Sequence, residues 1–149
     1  MKTKSNLSIL LVEDNMFYAE VIKEHLQLKG YTNIRHSSNG IECLLAVFED
    51  EAPNVIIMDH NLDILTGMDL LKRIHSSRPD IKIFFLSAED QVDLAIKAVK
   101  YGATDYFLKD DAVFDNLSEA LDELYGRQAG MTSQTWMRRS AILVKSFLF

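Results

Sequence analysis

The sequence is poor in cysteine and proline, the residues that cross-link a chain or restrict its backbone. It has one cysteine, Cys43, and two prolines among 149 residues. A single thiol excludes an internal disulfide and any multi-thiolate metal site, and it agrees with a reducing compartment. No apolar run approaches the ~20 residues that cross a bilayer, and residues 1–8 lack the apolar core of a signal peptide. We therefore expect a cytoplasmic protein with one domain.

Basic residues are also scarce over most of the chain. Residues 1–126 carry 12 basic and 22 acidic groups, a net charge of −10, whereas residues 127–149 carry four basic groups and no acid. Nucleic-acid binding relies on clustered Lys and Arg side chains that face phosphates. The acidic body therefore argues against nucleic acid as a direct partner, and four basic residues at one end do not reverse that expectation.

Short apolar runs alternate with segments of helical period, which predicts five βα units. The predicted strands are 7–12, 33–38, 55–58, 83–86 and 106–108. Four of them are continuous apolar runs, as in a parallel sheet covered by helices on both faces, so the predicted class is α/β, doubly wound. Apolar residues at helical spacing mark the five helices: Phe17, Val21 and Leu28, with Tyr18, Ile22 and Leu26 beside them; Ile41, Leu44, Leu45 and Phe48; Leu70, Leu71 and Ile74; Val92, Ala95, Ile96 and Val99; Phe114, Leu117, Leu121 and Leu124.

Polar residues follow four of the five predicted strands. Glu13 and Asp14 follow the first strand, Asp59 the third, Ser87 the fourth and Lys109 the fifth. The carboxyl ends of parallel strands meet at one edge of a sheet, where open α/β folds bind ligands. Each residue alone is most simply a helix cap, a turn former or a solvated charge. Their coincidence at one edge indicates a functional site.

The residue types at this edge predict phosphoryl-transfer chemistry. Three carboxylates at close range repel one another, so without a cation at least one tends to protonate. Mg²⁺ prefers oxygen ligands and keeps several waters, which suits Glu13, Asp14 and Asp59 better than a Ca²⁺ cage or a Zn²⁺ site would. The Lys109 ammonium and the Ser87 hydroxyl can contact the equatorial oxygens of a phosphoryl group. Asp59 is then left as the nucleophile that forms an aspartyl phosphate.

Four separated motifs resemble those of response-regulator receiver domains, in that family's order and spacing. They are LLVEDN, IIMD with Gly67 eight residues after Asp59, LSAED and DYFLK, and the resemblance covers residues 7 to 126. It implies a receiver domain over residues 1–126. It also implies a flavodoxin-like sheet of five parallel strands in the order 2-1-3-4-5, with helices on both faces.

The resemblance also implies a role for each site residue. Asp59 would be the phosphoacceptor and a ligand of Mg²⁺, Asp14 a direct metal ligand, and Glu13 a ligand through metal-bound water. The backbone carbonyl of Asn61 would complete the metal ligands. The remaining roles would fall on Ser87 and Lys109 as phosphoryl contacts, and on Ser87 and Tyr106 as the switch pair.

Two positions depart from the family pattern. The family often has proline four residues after the phosphoacceptor and another directly after the lysine, in a cis peptide, where this chain has Asp63 and Asp110. Without those rings neither loop conformation is fixed, and a non-proline cis bond would cost about 2.5–4 kcal/mol. We expect the family pattern to be the poorest guide in the loop from Asn61 to Thr66.

The function implied is that of a signalling module in a two-component phosphorelay, not of an enzyme. A sensor histidine kinase or a histidine phosphotransfer protein would donate the phosphoryl group. A downstream protein or effector domain would read the surface of the fourth helix and fifth strand. The alternatives are a receiver-like scaffold that acts by protein contacts without phosphorylation, and a flavin-binding module, which the acidic site disfavours.

The last residues, 127–149, are interpreted as a linker and an apolar, basic tail. Met137, Ala141, Val144 and Leu148 align at helical spacing, which is compatible with a short amphipathic helix. Apolar side chains such as Trp136, Leu143 and Phe147 favour docking onto this domain, onto a second copy or onto a membrane surface, and we prefer protein docking. The tail, like the fourth-helix face, is therefore a candidate dimer contact. A frayed terminus or a piece of a longer protein is the simpler alternative.

Overall fold

A computed structural model describes residues 3–128, with the side chains of residues 3–126. The amphipathic helix and the docking predicted for the tail lie outside the described residues. The strands are β1 (Ile9–Val12), β2 (Ile34–Ser37), β3 (Val55–Asp59), β4 (Lys82–Ser87) and β5 (Asp105–Leu108). The helices are α1 (Met16–Leu28), α2 (Gly40–Val47), α3 (Gly67–Ser77), α4 (Val92–Lys100) and α5 (Val113–Gln128).

The five strands form one parallel sheet in the order β2-β1-β3-β4-β5, which confirms the predicted topology. All residues of β1 and β3 are buried, as their continuous apolar runs predict. The outer strand β2 has two partly exposed central residues, Arg35 and His36, which agrees with its weaker apolar pattern. The chain order changes direction between β1 and β3, so the switch point lies beside Asp59.

Two apolar layers lie on opposite faces of the sheet because successive strand residues point to opposite sides. Ile9, Leu11 and Ile57 face one layer, which contains buried residues of α1 and α5. Leu10, Ile56 and the other alternate residues face the second layer, which contains buried residues of α2, α3 and α4. The core therefore positions the carboxyl ends of β1 and β3, where Glu13 and Asp59 are buried and Asp14 is exposed.

Helix α1 buries Ile22 and Leu26 of its predicted apolar residues but leaves Phe17 and Leu28 exposed. The buried faces of α2 and α4 differ from those predicted. In these two helices small or medium side chains face the sheet, and bulkier ones are largely exposed, Leu45 by 65% and Ile96 by 59%. Because α2 has one charged residue among eight, its periodicity does not single out a face. The buried residues of these three helices are Ala19, Ile22 and Leu26; Gly40, Cys43, Ala46 and Val47; Ala95 and Ala98.

Helix α1 begins with a side-chain cap that matters for the site. The Asn15 side chain accepts a hydrogen bond of 3.0 Å from the backbone N–H of Tyr18. Either Asp14 or Asn15 fits the sequence as the cap, and the choice of Asn15 leaves the Asp14 carboxylate available to a ligand. Gly30 ends the helix with φ of 99°, as predicted for a left-handed glycine. Within residues 3–128, no helix is both long enough and apolar enough to span a membrane.

Candidate functional site at the carboxyl edge of the sheet

Three carboxylates meet where β1 and β3 end. Val12 pairs with Met58 in the parallel register, so Glu13 and Asp59 leave the sheet side by side. One oxygen each from Glu13, Asp14 and Asp59 lies within 4.8 Å of the others. Glu13 is 1% exposed and Asp59 3% exposed, whereas Asp14 is exposed. The site is therefore a pair of buried acids with a third at its mouth.

Lys109 joins the two buried acids. Its Nζ lies 3.1 Å from Glu13 Oε1 and 3.1 Å from Asp59 Oδ2. The backbone N–H of Lys109 donates to the carbonyl of Ser87 over 2.9 Å, which fixes the residue at the end of β5 beside β4. The sheet thus brings together three residues that are far apart along the chain: 46 positions separate Glu13 from Asp59, and 50 separate Asp59 from Lys109. Their places at strand ends predict this meeting.

Burial and mutual charge determine the protonation of this cluster. Burial, with the neighbouring Asp59 carboxylate, raises the pKa of Glu13 to about 8, and attraction to Lys109 offsets only part of that rise. Burial alone would lower the pKa of the Lys109 ammonium, but the charges of Asp59 and Glu13 raise it overall. The Lys109 side chain is therefore a cation at neutral pH, and the Glu13 carboxyl group has a pKa of about 8.

A tight loop presents Asp59. The His60 N–H donates to the Leu86 carbonyl over 2.8 Å, the Gly67 N–H donates to the His60 carbonyl over 3.0 Å, and the Asn61 N–H donates to Asp59 Oδ1 over 3.2 Å. A Cβ at Gly67 would collide with the Asp59 carbonyl oxygen and would lie 2.8 Å from the His60 Cα. The loop can close on Asp59 only because residue 67 has no side chain.

The two residues predicted as a switch pair both bind Glu89. Ser87 Oγ accepts a hydrogen bond from the Glu89 N–H over 3.0 Å. The Tyr106 hydroxyl donates to the Glu89 carbonyl over 2.9 Å, and the ring, 2% exposed, stacks on Phe85 at 5.9 Å. Ser87 is fully buried. It directly follows Leu86, the β4 residue that pairs with Asp59. The contacts therefore run from the edge of the acidic cluster to Tyr106.

Asp63 and Asp110 occupy the positions where prolines are common in the family. The described residues contain no cis peptide bond, and the Asp110 side chain accepts from the Ala112 N–H over 3.0 Å at the start of α5. Ile64, next to Asp63, has φ of 60°. Asp63 and Ile64 both lie in the loop from Asn61 to Thr66, where we expect the family pattern to be the poorest guide.

Tyr18 is a site residue that the sequence analysis missed. Its ring centroid lies 4.5 Å from Lys109 Nζ. Only its place one turn after Asp14, on the first helix, could have indicated that it reaches the site. His60, in contrast, packs its ring 5.5 Å from Phe85, which agrees with a packed histidine and not with a base for Asp59.

The donors at this edge fit a hard divalent cation. Glu13, Asp14 and Asp59 supply carboxylate oxygens, the ligands that Mg²⁺ prefers. Glu13 Oε2 is buried and accepts no hydrogen bond from the described part of the chain, and such an atom is costly unless another group binds it. Both observations support a cation-binding role for the cluster.

The fold and the site together define a doubly wound α/β protein with an acidic, lysine-bridged site at its switch point. The chain belongs to the response regulator receiver domain family of two-component signalling, whose sequence model matches residues 9–122. That assignment confirms the resemblance seen in the four motifs. Receiver domains are signalling modules, so the class of function is also confirmed.

Proteins from several bacteria are similar to this chain in sequence. The chain is 26% identical over 117 residues to the chemotaxis protein CheY of Listeria monocytogenes, covering 78% of this chain and 97% of that protein. It is 28% identical over 133 residues to the transcriptional regulatory protein ZraR of Escherichia coli, covering 89% of this chain but only 30% of ZraR. The chain therefore corresponds to a whole protein in one relative and to one part of a longer protein in the other.

Solved structures agree with both the fold and the family. A response regulator receiver domain from Clostridium thermocellum superposes with a TM-score of 0.73 and 28% identity, covering 82% of this chain and 96% of that one. A CheY-like receiver domain from Methanospirillum hungatei gives 0.71 and 25%, covering 83% and 96%. Both comparisons cover almost the whole of the other domain.

Proposed function

We propose that this chain accepts a phosphoryl group on Asp59 from a phosphohistidine of a sensor histidine kinase or histidine phosphotransfer protein. The observation that carries the proposal is the position of Lys109, whose ammonium lies 3.1 Å from the carboxylate of Asp59 at the switch point of the sheet. A cation placed there can bind the oxygens of a phosphoryl group as charge develops on them.

The transfer is a displacement at phosphorus. An oxygen of Asp59 forms the new P–O bond while the P–N bond of the donor histidine breaks, and the electron pair leaves with the imidazole. Lys109 and Ser87 contact the phosphoryl oxygens, and the Asn61 N–H orients Asp59 through Oδ1. Hydrolysis of the aspartyl phosphate later restores the carboxylate and ends the signal.

Mg²⁺ is the cofactor that we assign to the carboxylates. Asp14 and Asp59 would bind it directly, with the Asn61 carbonyl, while Glu13 would act through a water. When bound, the ion neutralises repulsion between the carboxylates and the incoming phosphoryl group. The support for this assignment is the cluster of three carboxylates together with the unpartnered Glu13 oxygen.

The phosphoryl group would act on the surface through Ser87 and Tyr106. When the Ser87 hydroxyl turns to a phosphoryl oxygen, it gives up its hydrogen bond with the Glu89 N–H. Since Tyr106 binds the carbonyl of that same residue, the inward position of its ring would depend on whether the aspartate is phosphorylated. The proposed readout is the surface of α4 and β5, where Val92, Ile96 and Val99 are exposed.

The partners follow from this mechanism and from the charge of the chain. They are the phosphodonor protein, a downstream protein or effector domain, and a second copy of the chain docked through the α4 and β5 surface or the tail. Direct nucleic-acid binding is not proposed for the acidic residues 1–126, which form the receiver domain. The location that we propose is the cytoplasm, because a single cysteine, the buried Cys43, agrees with a reducing compartment.

Labelling with acetyl phosphate and Mg²⁺ tests the nucleophile. We expect the wild-type chain to take up one phosphoryl group and Asp59→Asn to take up none. Asp63→Asn is the matched control, since Asp63 is an exposed acid in the same loop. Label that persists in Asp59→Asn would refute the assignment.

A non-cycling scaffold is the competing function, and beryllofluoride, a phosphoryl mimic, distinguishes it. We expect beryllofluoride to change the intrinsic fluorescence only when Mg²⁺ is present. A chain that gives neither this change nor acetyl phosphate labelling would act by protein contacts alone.

A further inference from the structure

Lys109 has an aromatic neighbour in addition to its two carboxylates. The ring of Tyr18 lies against the ammonium, 4.5 Å from Nζ to the ring centroid. The same Nζ lies 3.1 Å from both Glu13 and Asp59. A ring face attracts a cation electrostatically and also keeps water from that side of it. The ammonium is therefore enclosed by two acids and one ring.

The ring itself is held from two helices. The Tyr18 N–H is bound by the Asn15 side chain at the start of α1, which fixes the backbone. Its ring packs on Phe114 of α5, with centroids 5.8 Å apart, and Phe114 packs in turn on His25 at 5.6 Å. The position of the ring over Lys109 is thus set by the packing of α1 on α5 and does not depend on Lys109.

The phenol oxygen of Tyr18 does not explain why the residue is there. It is buried and has no hydrogen-bond partner among the residues that the structure describes. An unpaired buried hydroxyl costs stability and does not add to it. What Tyr18 supplies to the site is the face of its ring, which phenylalanine would supply equally well.

We propose that Tyr18 is a positioning residue for phosphoryl transfer, holding the Lys109 ammonium where it meets both Asp59 and the incoming phosphoryl group. The proposal rests on the function assigned to Asp59. A lysine has a flexible four-carbon stem, and either buried acid alone could draw the ammonium to one side. The ring limits that motion because it occupies the space beside the ammonium. Tyr18 therefore affects the rate through Lys109 and does not touch the reacting atoms.

The test compares Tyr18→Leu with Tyr18→Phe in the full chain. Phosphorylation is followed at several acetyl phosphate concentrations with Mg²⁺. We expect Tyr18→Leu to lower the maximal rate about tenfold with little change in the half-saturating donor concentration. Tyr18→Phe restores the rate that Leu loses. Phe17→Leu is the control, because Phe17 is the adjacent aromatic and 79% exposed.

A double-mutant cycle separates positioning from general packing. In a Lys109→Met background, Tyr18→Leu should cause no further loss of rate, since the group it positions is gone. An equal tenfold loss in that background, or a Phe variant as slow as Leu, would show that Tyr18 acts in some other way. Urea denaturation checks that each variant is folded, and Tyr18→Met replaces Leu if that variant is not.

A measurement without phosphorylation gives an independent result. A ring above the Lys109 side chain should shift the resonances of its Cε protons upfield. That shift should persist in Tyr18→Phe and vanish in Tyr18→Leu, and an unchanged shift in Leu would overturn the proposed contact.

Failure of the wild-type chain to become labelled, or label in Asp59→Asn, would contradict the proposed function and this inference together. Normal labelling with an unchanged Leu variant would contradict only the role of Tyr18.

Discussion

The ammonium of Lys109 lies 3.1 Å from Oε1 of Glu13, a side chain that is 1% exposed. Even this direct ion pair does not keep Glu13 an ordinary acid, because burial and the Asp59 carboxylate raise its pKa more than Lys109 lowers it. One lysine cannot balance two buried acids. The remaining repulsion is what a divalent cation would relieve.

The first prediction concerns pH. The pKa of Glu13 is about 8 in the folded chain against an ordinary 4.5, so the folded state binds this proton more tightly than the unfolded state. That stabilisation is fully present below 4.5 and is lost as pH rises through about 8. The unfolding free energies of the wild-type chain and of Glu13→Gln are compared in metal-free buffer. As the pH rises from about 5 to about 9, we expect the wild-type value to fall by on the order of 3 kcal/mol more than that of the variant. Urea denaturation gives both slopes, and parallel slopes would contradict the shifted pKa.

The second prediction concerns the metal. Asp14 is exposed and leaves the capping of α1 to Asn15, so Asp14→Asn should remove a ligand without disturbing the helix. We expect Mg²⁺ affinity, measured by calorimetry, to fall at least about tenfold. The control is Glu20→Gln, which removes an exposed acid from the same helix. Equal affinities for wild type and Asp14→Asn would exclude Asp14 as a ligand.

The third prediction concerns the close approach of α3 to Asp59. Gly67→Ala places a methyl group against the backbone of Asp59 and His60, neither of which can rotate away. We expect a loss of about 2–3 kcal/mol in unfolding free energy and slower phosphorylation. Gly40→Ala is the matched control, because its Cβ would meet only the side-chain end of Leu70 at 2.8 Å. If the two variants were equally stable, the close approach at Gly67 would be wrong.

The fourth prediction concerns the link between Ser87 and Tyr106. Tyr106→Phe removes the bond to the Glu89 carbonyl but leaves the ring stacked on Phe85. The Tyr106 hydroxyl binds the Glu89 carbonyl and also contacts the Ser87 side chain, whose oxygen accepts from the Glu89 N–H. Hydrogen exchange of the Glu89 N–H should therefore become faster in Tyr106→Phe. Ser87→Ala provides the reference for complete loss of protection. Unchanged exchange in Tyr106→Phe would mean that the switch does not run through this residue.

The sequence predicted the sheet and most of the site because both depend on strand ends. Continuous apolar runs fix the strands, and parallel strands bring their carboxyl ends to one edge wherever the intervening helices pack. Glu13, Asp59 and Lys109 therefore meet as expected. Tyr18 was missed because its contact with Lys109 depends on how α1 packs beside α5, and no local pattern encodes that packing.

The helix faces were predicted less well for a related reason. Periodicity finds a face only when the opposite face is polar. In α2 and α4 the small residues Cys43, Ala46, Ala95 and Ala98 lie against the sheet, and larger side chains extend outward. A count of bulky apolar residues therefore locates the exposed side of these helices. That surface is also where a partner would find apolar contacts.

The last prediction concerns the loop after Asp59, where no sequence pattern indicates the backbone conformation. Ile64 has φ of 60° and is 86% exposed, so a branched side chain is held in the left-handed region without burial to offset it. Asparagine tolerates that conformation, and we expect Ile64→Asn to raise the unfolding free energy by about 1 kcal/mol. Ile96→Asn is the control, because Ile96 is 59% exposed within α4 and its replacement should lower stability slightly. Opposite signs in urea denaturation would show that the gain comes from relieved backbone strain, whereas a loss in both variants would place Ile64 in an ordinary backbone conformation.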